Sequence, residues 1–246
     1  MGENARRSVV NWEALVPLED WNEYLPILQA AKKRKIPLAI TGGLAYSEYA
    51  CQMRNTKDID LLVSPEHKDE IISILVENGW ADYEKTEPYD RSWIYRGTKN
   101  GLICDIIWSL PNHRFNVDCK WVTSGPQVEI YGHWTRLISL DYLIVAKLYV
   151  FQRERCDWPD LLNVLAQSSQ EINWKHVLKL VGQDAPLLGG LLNVFRWLTP
   201  KKADCIPAFV WKEVGLEPEV AREPLREENR AFLLDTRHWF GPNVGG

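Results

Sequence analysis

No feature of this chain limits its fold more than the run Asp58-Ile59-Asp60-Leu61-Leu62-Val63. Its composition and alternation predict a strand. Residues two apart on a strand face the same side, so Asp58 and Asp60 project together, with Cα atoms about 7 Å apart. Ile59, Leu61 and Val63 take the opposite face, which is therefore expected to be buried. Two carboxylates side by side repel unless a cation holds them, and oxygen ligands suit magnesium. An Asp-x-Asp pair can also stand on any exposed strand edge. Its meaning depends on what the rest of the chain brings beside it.

Two further segments matter here. Asp105 lies inside Leu102-Ile103-Cys104-Asp105-Ile106-Ile107-Trp108, which reads as a buried strand. A carboxylate in such a place needs a partner. It either pairs with an arginine such as Arg96 or, if the strands are neighbours, joins Asp58 and Asp60. Three converging carboxylates are enough for the two-metal arrangement of phosphoryl and nucleotidyl transfer. Upstream, Leu38-Ala39-Ile40-Thr41 predicts a short strand, Gly42-Gly43 a turn and Leu44 to Met53 a helix. Backbone N–H groups at a helix start attract anions, and glycine lets a phosphate approach the backbone closely.

The 246 residues are 46% hydrophobic and 25% charged, which places the chain among globular proteins. A formal charge of −4 argues against a dedicated duplex-DNA binder, which needs a basic face. No stretch approaches the ~20 apolar residues of a membrane span. The start of the chain lacks a signal-peptide core. The cysteines at 51, 104, 119, 156 and 205 contain no CxxC pair, so free thiols in a reducing cytoplasm are expected. HExxH and GxSxG motifs are missing, which weighs against zinc and serine hydrolases.

Along the chain, residues 1–37 read as helical, closed by Lys32-Lys33-Arg34-Lys35. That basic run complements a helix dipole or forms a nucleic-acid patch. Ser64-Pro65 opens a helix through about Asn78. Ser92 to Arg96 and Leu102 to Trp108 form a hairpin across Asn100-Gly101. Residues 110–127 read as loop and Val128 to Trp134 as one strand. From Ser139 the pattern is helical: Ser139 to Gln152, Trp158 to Gln167, Trp174 to Val181, Pro186 to Leu198, and a last helix around 217–234. Gly189-Gly190 reads as close packing within its helix. An α/β unit over 1–138 and a helical region over 139–246 are thus expected.

The ordered series Gly42-Gly43, Thr56-Lys57-Asp58-Ile59-Asp60-Leu61 and Asp105 resembles the DNA polymerase beta-type nucleotidyltransferase superfamily. Asp141-Tyr142-Leu143, Lys147, Arg153, Asp157 and Asp160-Leu161-Leu162 are similar to the helical motif of its AbiEii-type toxin and aminoglycoside-type branches. The resemblance covers about residues 36–165. It implies a small mixed-sheet α/β palm flanked by helices, followed by a helical C-terminal region. It also implies transfer of a nucleoside monophosphate from an NTP, with pyrophosphate released. Asp58, Asp60 and Asp105 would be catalytic and hold Mg2+ or Mn2+. Gly42, Gly43, Arg54, Thr56, Lys147 and Arg153 would bind nucleotide. The acceptor stays open among RNA, protein and small molecules. A non-catalytic nucleotide-binding or antitoxin-like module on the same fold is the alternative.

Several of these residues carry a second reading. Lys147 sits among Leu143, Ile144, Val145, Ala146, Leu148 and Tyr149, so its ammonium either extends to solvent or meets an anion. Arg54 steadies a triphosphate or is solvated. Arg153 and Arg155 pair with phosphate or with nearby acids. Asp157, ahead of Trp158-Pro159-Asp160, reads as a helix cap.

Overall fold

The computed structural model describes residues 10–53, 56, 58–152, 154–218 and 230. Its contacts divide the chain into two units, Met1–Glu48 with Met53–Ser139, and Tyr49–Gln52 with Leu140–Gly246.

The first unit begins with a short helix α1 (Trp12–Leu15) and the long α2 (Leu18–Lys33). Then come β1 (Leu38–Ile40), α3 (Gly42–Ala50), β2 (Asp58–Val63), α4 (Lys68–Glu77), β3 (Ala81–Asp82), β4 (Ile94–Lys99) and β5 (Leu102–Ile107). The five strands form one mixed sheet in the order β1-β2-β5-β4-β3. Only β2 and β5 run parallel; the other pairs are antiparallel. The β4–β5 hairpin closes on Lys99↔Leu102 around Asn100 and Gly101, at φ of 53° and 80°. Positive φ at both central residues is the turn whose twist matches paired strands.

One face of this sheet is the core. Ile59, Val63, Cys104 and Ile106 are fully buried there, and Leu61 is nearly so. α2 supplies Trp21, Tyr24, Ile27 and Ala31 from one stripe, and α4 supplies Ile71, Ile74 and Leu75. The opposite face carries Asp58 and Asp60, both partly exposed. The alternation of β2 therefore separates oil from acid.

Three parts of this unit differ from the sequence expectation. The single strand over Val128 to Trp134 is a hairpin, β6 (Gln127–Ile130) and β7 (His133–Arg136). It turns at Tyr131 and Gly132, with φ of 47° and 77°. Tyrosine holds the place that asparagine usually advertises, so the turn is silent in the sequence. The stretch 110–127 contains α5 (Cys119–Thr123), which buries Trp121 and Val122. Asp118 caps it, accepting from the backbone N–H of Lys120 (2.8 Å) and Trp121 (3.3 Å). α3 starts at Gly42 and stops at Ala50, where Cys51 takes a φ of 50°.

The second unit contains α6 (Leu140–Leu148), α7 (Trp158–Ser168), α8 (Trp174–Val181), α9 (Ala185–Leu198), α10 (Pro200–Ala203) and α11 (Ala208–Glu213). α6 packs on α7 and α8, and α9 on α7, α8 and α10. A Cβ on Gly189 would lie 2.8 Å from the Val214 carbonyl oxygen, and one on Gly190 3.3 Å from the Trp158 ring. The glycine pair thus permits the close packing expected of it. Most of the helix expected around 217–234 lies outside the described residues. Among the described residues, no helix is long and apolar enough to cross a membrane.

Candidate active site

The acid face is assembled by backbone pairing. Ile40 pairs with Leu61, and the Thr41 N–H continues the ladder by donating to the Asp60 carbonyl at 2.9 Å. This sets the first residue of α3, Gly42, directly beside Asp60. Gly42 has a φ of 62°, which disfavours any side chain. A Cβ placed there would stand 1.7 Å from Asp60 Oδ2. The Asp60 carboxylate fills the space that glycine leaves open at the start of α3. Gly43 faces Thr56, with 3.4 Å from an ideal Cβ to Thr56 Oγ1. The Thr56 hydroxyl donates to Asp58 Oδ1, which fixes that carboxylate on the same face.

Parallel pairing of β2 with β5 sets Asp60 opposite Asp105 and Asp58 opposite Ile103. In the antiparallel pairing of β4 with β5, Arg96 stands opposite Asp105 on its other side. Three neighbouring strands therefore present Asp60, Asp105 and Arg96 in one row. Asp105 is 2% exposed. Arg96 meets it with a two-pronged contact, Nε to Oδ1 at 2.8 Å and Nη2 to Oδ2 at 2.7 Å. Of the two readings open for Asp105, the ion pair with Arg96 is the one formed. Asp105 also lies next to Asp60 in register, so the strands are neighbours as the other reading requires.

Arg96 is held from several sides. Its guanidinium stands over the Tyr83 ring, 5.6 Å from the centroid. Its backbone N–H donates to the Tyr89 hydroxyl at 2.9 Å, and that hydroxyl donates to Asp82 at 3.2 Å. Hydrogen bonding to Asp105 is the main cause that raises the Arg96 pKa, and the charges of Asp105, Asp60 and Asp58 add to it against the effect of burial. Burial, reinforced by Asp105 and Asp60, keeps the Cys104 thiol protonated and inert as a nucleophile. Tyr83 went unnoticed in the sequence, where nothing connects it with Arg96 on the strand that follows.

Among the described residues the acids on this face are aspartates, whose oxygen donors suit a hard divalent cation. Asp58 and Asp60 fit that use: they are partly exposed, share a side, and are braced by Thr56 and Gly42. Asp105 differs, because Arg96 already engages both its oxygens. Among the described residues no group of three or more His, Cys, Asp or Glu is gathered in a way that could hold a metal ion. The expected set Asp58, Asp60 and Asp105 is a same-face pair plus an ion-paired third acid.

The other candidates divide as follows. Arg54 and Arg153 lie outside the described residues. Lys147 belongs to the second unit, where its side chain is 7% exposed. It neither extends to solvent nor stands alone, because Nζ donates to Asp157 Oδ2 at 2.9 Å and Asp160 Oδ2 at 2.7 Å. Asp157 occupies the cap position of α7, but its side chain makes no capping hydrogen bond. It faces Lys147, with Arg155 Nε 3.4 Å from its other oxygen. The cap expected of Asp157 is thus replaced by an ion pair. In the same unit Asp141 joins α6 to α8, taking the Asn173 N–H and His176 Nδ1, both at 3.0 Å.

Comparison with solved structures gives distant likenesses. The antibiotic-resistance factor ANT(2'')-Ia is 18% identical, covers 70% of this chain and 95% of its own, and superposes with a TM-score of 0.44. The lincosamide antibiotic adenylyltransferase LnuA is 16% identical, with 58% and 94% covered and a TM-score of 0.43. An antigenic nucleotidyltransferase-like protein from Paracoccidioides brasiliensis is 13% identical, with 77% and 96% covered and a TM-score of 0.45. No curated protein matches the sequence. The match that decides the family is to the model described as "Uncharacterised nucleotidyltransferase", over residues 21–184, which take in Gly42, Gly43, the three acids, Arg96 and Lys147. On that match, the chain belongs to this nucleotidyltransferase family.

Proposed function

We propose that this nucleotidyltransferase moves a nucleoside monophosphate from an NTP to an acceptor hydroxyl, with pyrophosphate released and a divalent cation, Mg2+ or Mn2+, required. The observation that carries this reading is the Gly42 cradle: a carboxylate pair on one face, its inner member seated where α3 begins. Asp58 and Asp60 would hold the cation, which supplies charge neutralisation for the triphosphate. Backbone N–H groups of Gly42 and Gly43 would orient phosphate oxygens at the helix start. Thr56 holds Asp58 in place for that task. Asp105, in register with Asp60, would accept a hydrogen bond from the acceptor hydroxyl and orient it. Arg54, Arg153 and Lys147 are carried as nucleotide contacts by the family resemblance alone.

Catalysis of this kind is positional and electrostatic, since phosphoryl transfer asks little covalent chemistry of the protein. The acceptor belongs to one of three classes: RNA, protein or a small molecule. A cytoplasmic setting suits the free thiols. Each labelled NTP, incubated with magnesium and total RNA, protein or small acceptors, tests the reading. Wild-type protein is expected to label one class, and Asp58→Asn and Asp60→Asn none, with melting points unchanged. Labelling that persists in either variant, or in excess chelator, removes the metal assignment. One observation favours the non-catalytic alternative, namely that Arg96 engages both oxygens of Asp105. Tight nucleotide binding with no labelled acceptor would establish that reading instead.

A further inference from the structure

Residues 83–93 leave the sheet at the end of β3 and return to it as β4. β3 pairs with β4 at Thr98 and Gly97 and goes no further, so past Gly97 the outer edge of β4 has lost its strand neighbour. Tyr89 takes over there. Its hydroxyl accepts the Arg96 N–H at 2.9 Å and donates to Asp82 Oδ1 at 3.2 Å. Arg91 pins the same excursion, pairing with Asp82 at 3.0 Å and with Glu84, its guanidinium 5.9 Å from the Tyr89 ring centroid. Because the Arg96 N–H turns outward to Tyr89, Arg96 and Asp105 face each other as a pair that exchanges no backbone hydrogen bonds. The Trp108 N–H, donating to the Trp93 carbonyl, belongs to the same alternation. Side chains of such a pair stand close together.

The fork that Arg96 sets on Asp105 is demanding. Nε and Nη2 must meet two oxygens at once, from a long side chain that is 33% exposed. Tyr83 limits its travel. The Tyr83 ring centroid lies 5.6 Å from the guanidinium, and a ring face both attracts a guanidinium and restricts its rotation. Tyr83 thus sets the tilt of the fork, and Tyr89 the place of the backbone that carries it.

We infer that Tyr83 and Tyr89 are positioning residues for nucleotidyl transfer, acting on Asp105 through Arg96. The role rests on the nucleotidyl-transfer reading above, in which Asp105 orients the acceptor hydroxyl. Asp105 is 2% exposed, so protein contacts and not water set its orientation, and the fork holds both its oxygens. A loose fork lets that carboxylate tilt, and a misplacement of about 1 Å is enough to cost about a hundredfold in rate. Nucleotide binding is spared, because the Gly42 cradle is made by Asp60 on β2 and the start of α3.

Full-length protein is tested with α-labelled NTP and the acceptor class that wild type labels. Tyr83→Leu removes the ring and is expected to lose at least about tenfold in kcat. Its KM for NTP should move less than about threefold. Tyr83→Phe keeps the ring and is expected to restore the wild-type rate. Tyr89→Phe removes only the hydroxyl and is expected to lose at least about threefold in kcat, again without a matching rise in KM. The fork is read separately by magnetic resonance of isotope-labelled arginine. The Arg96 Nε–H signal, assigned by its loss in Arg96→Lys, should exchange slowly in wild type and Tyr83→Phe and faster in Tyr83→Leu and Tyr89→Phe. Wild-type kcat or unchanged exchange in Tyr83→Leu overturns the inference and leaves nucleotidyl transfer standing, as does a loss carried by KM instead of kcat. Should Tyr83→Leu not fold, Tyr89→Phe decides on the same readouts. A wild-type protein that labels no acceptor removes the nucleotidyl-transfer reading, and this inference with it.

Discussion

Lys147→Met would remove one ammonium that two carboxylates share. The side chain is 7% exposed, against 10% for Asp157 and 17% for Asp160, so all three are largely withdrawn from water. Methionine keeps the aliphatic stem and its packing, which isolates the charge. Two charge-assisted hydrogen bonds vanish, at about 1.5–3 kcal/mol each. Breaking a buried pair from one side costs about 3–5 kcal/mol, which agrees with that sum. Arg155 does little to offset this, being 3.4 Å from Asp157 and largely exposed. For a chain of this size the loss amounts to a fall in Tm of roughly 6–20 °C, at about 2–4 °C per kcal/mol. Neutralising all three positions, in Lys147→Met with Asp157→Asn and Asp160→Asn, should recover much of it, because no lone anion then remains.

The pH dependence has a definite sign. Burial pushes the Asp157 carboxyl up, but the charge and hydrogen bond of Lys147, with help from Arg155, outweigh it and hold the group below its ordinary value. Its folded value lies beneath its unfolded one, so its stabilisation is complete above about pH 3.9 and fades as the pH falls through the folded value. In Lys147→Met only Arg155 is left to oppose burial, so the carboxyl rises toward or past its ordinary value and the stabilisation shrinks. The gap between wild type and variant should be wide at pH 7 and narrow below about pH 4. Melting curves from pH 3 to 8 report both effects. A Lys147→Met protein melting within about 2 °C of wild type at pH 7 would falsify the buried-network account.

Two further changes probe the glycines. Gly42→Ala places a methyl group 1.7 Å from Asp60 Oδ2 at a φ of 62°, so Asp60 must leave its seat. Backbone strain of about 1–3 kcal/mol should accompany loss of nucleotide affinity in calorimetry, and an unchanged affinity contradicts the cradle. Gly189→Ala meets the Val214 carbonyl oxygen at 2.8 Å, and backbone yields less easily than a side chain. A loss of about 1–3 kcal/mol in denaturant unfolding is expected, with nucleotide affinity untouched; a neutral result shows that α9 and the Val214 segment part at little cost.

The fold was legible wherever periodicity and turn chemistry agreed. The alternation of Asp58–Val63 predicts one buried and one acidic face, and both are present. Asn100-Gly101 announces its own hairpin. The signal failed where ordinary residues adopt unusual backbone, as Tyr131 does in the β6–β7 turn. It failed again at Asp118, a cap concealed among residues that read as loop. For the site, the sequence named the acids but left their partners open. Whether Asp105 meets an arginine depends on the register of β4 against β5, a long-range property. Lys147 shows the same limit. Local hydrophobicity indicates that its ammonium needs a destination, while the destination lies beyond the end of its own helix.

The one parallel pair in the sheet bears on how the protein comes into being. Parallel neighbours cannot be joined by a tight turn, so α4, β3 and β4 intervene between β2 and β5. A ribosome therefore releases Asp58 and Asp60 well before Asp105 and Arg96 can flank them. Until then β2 has only β1 beside it, and its opposite edge offers unpaired backbone to any passing strand. The last strand to arrive both closes this vulnerable edge and completes the row of charges, so that assembly of the chemistry and protection from aggregation become a single late event in folding.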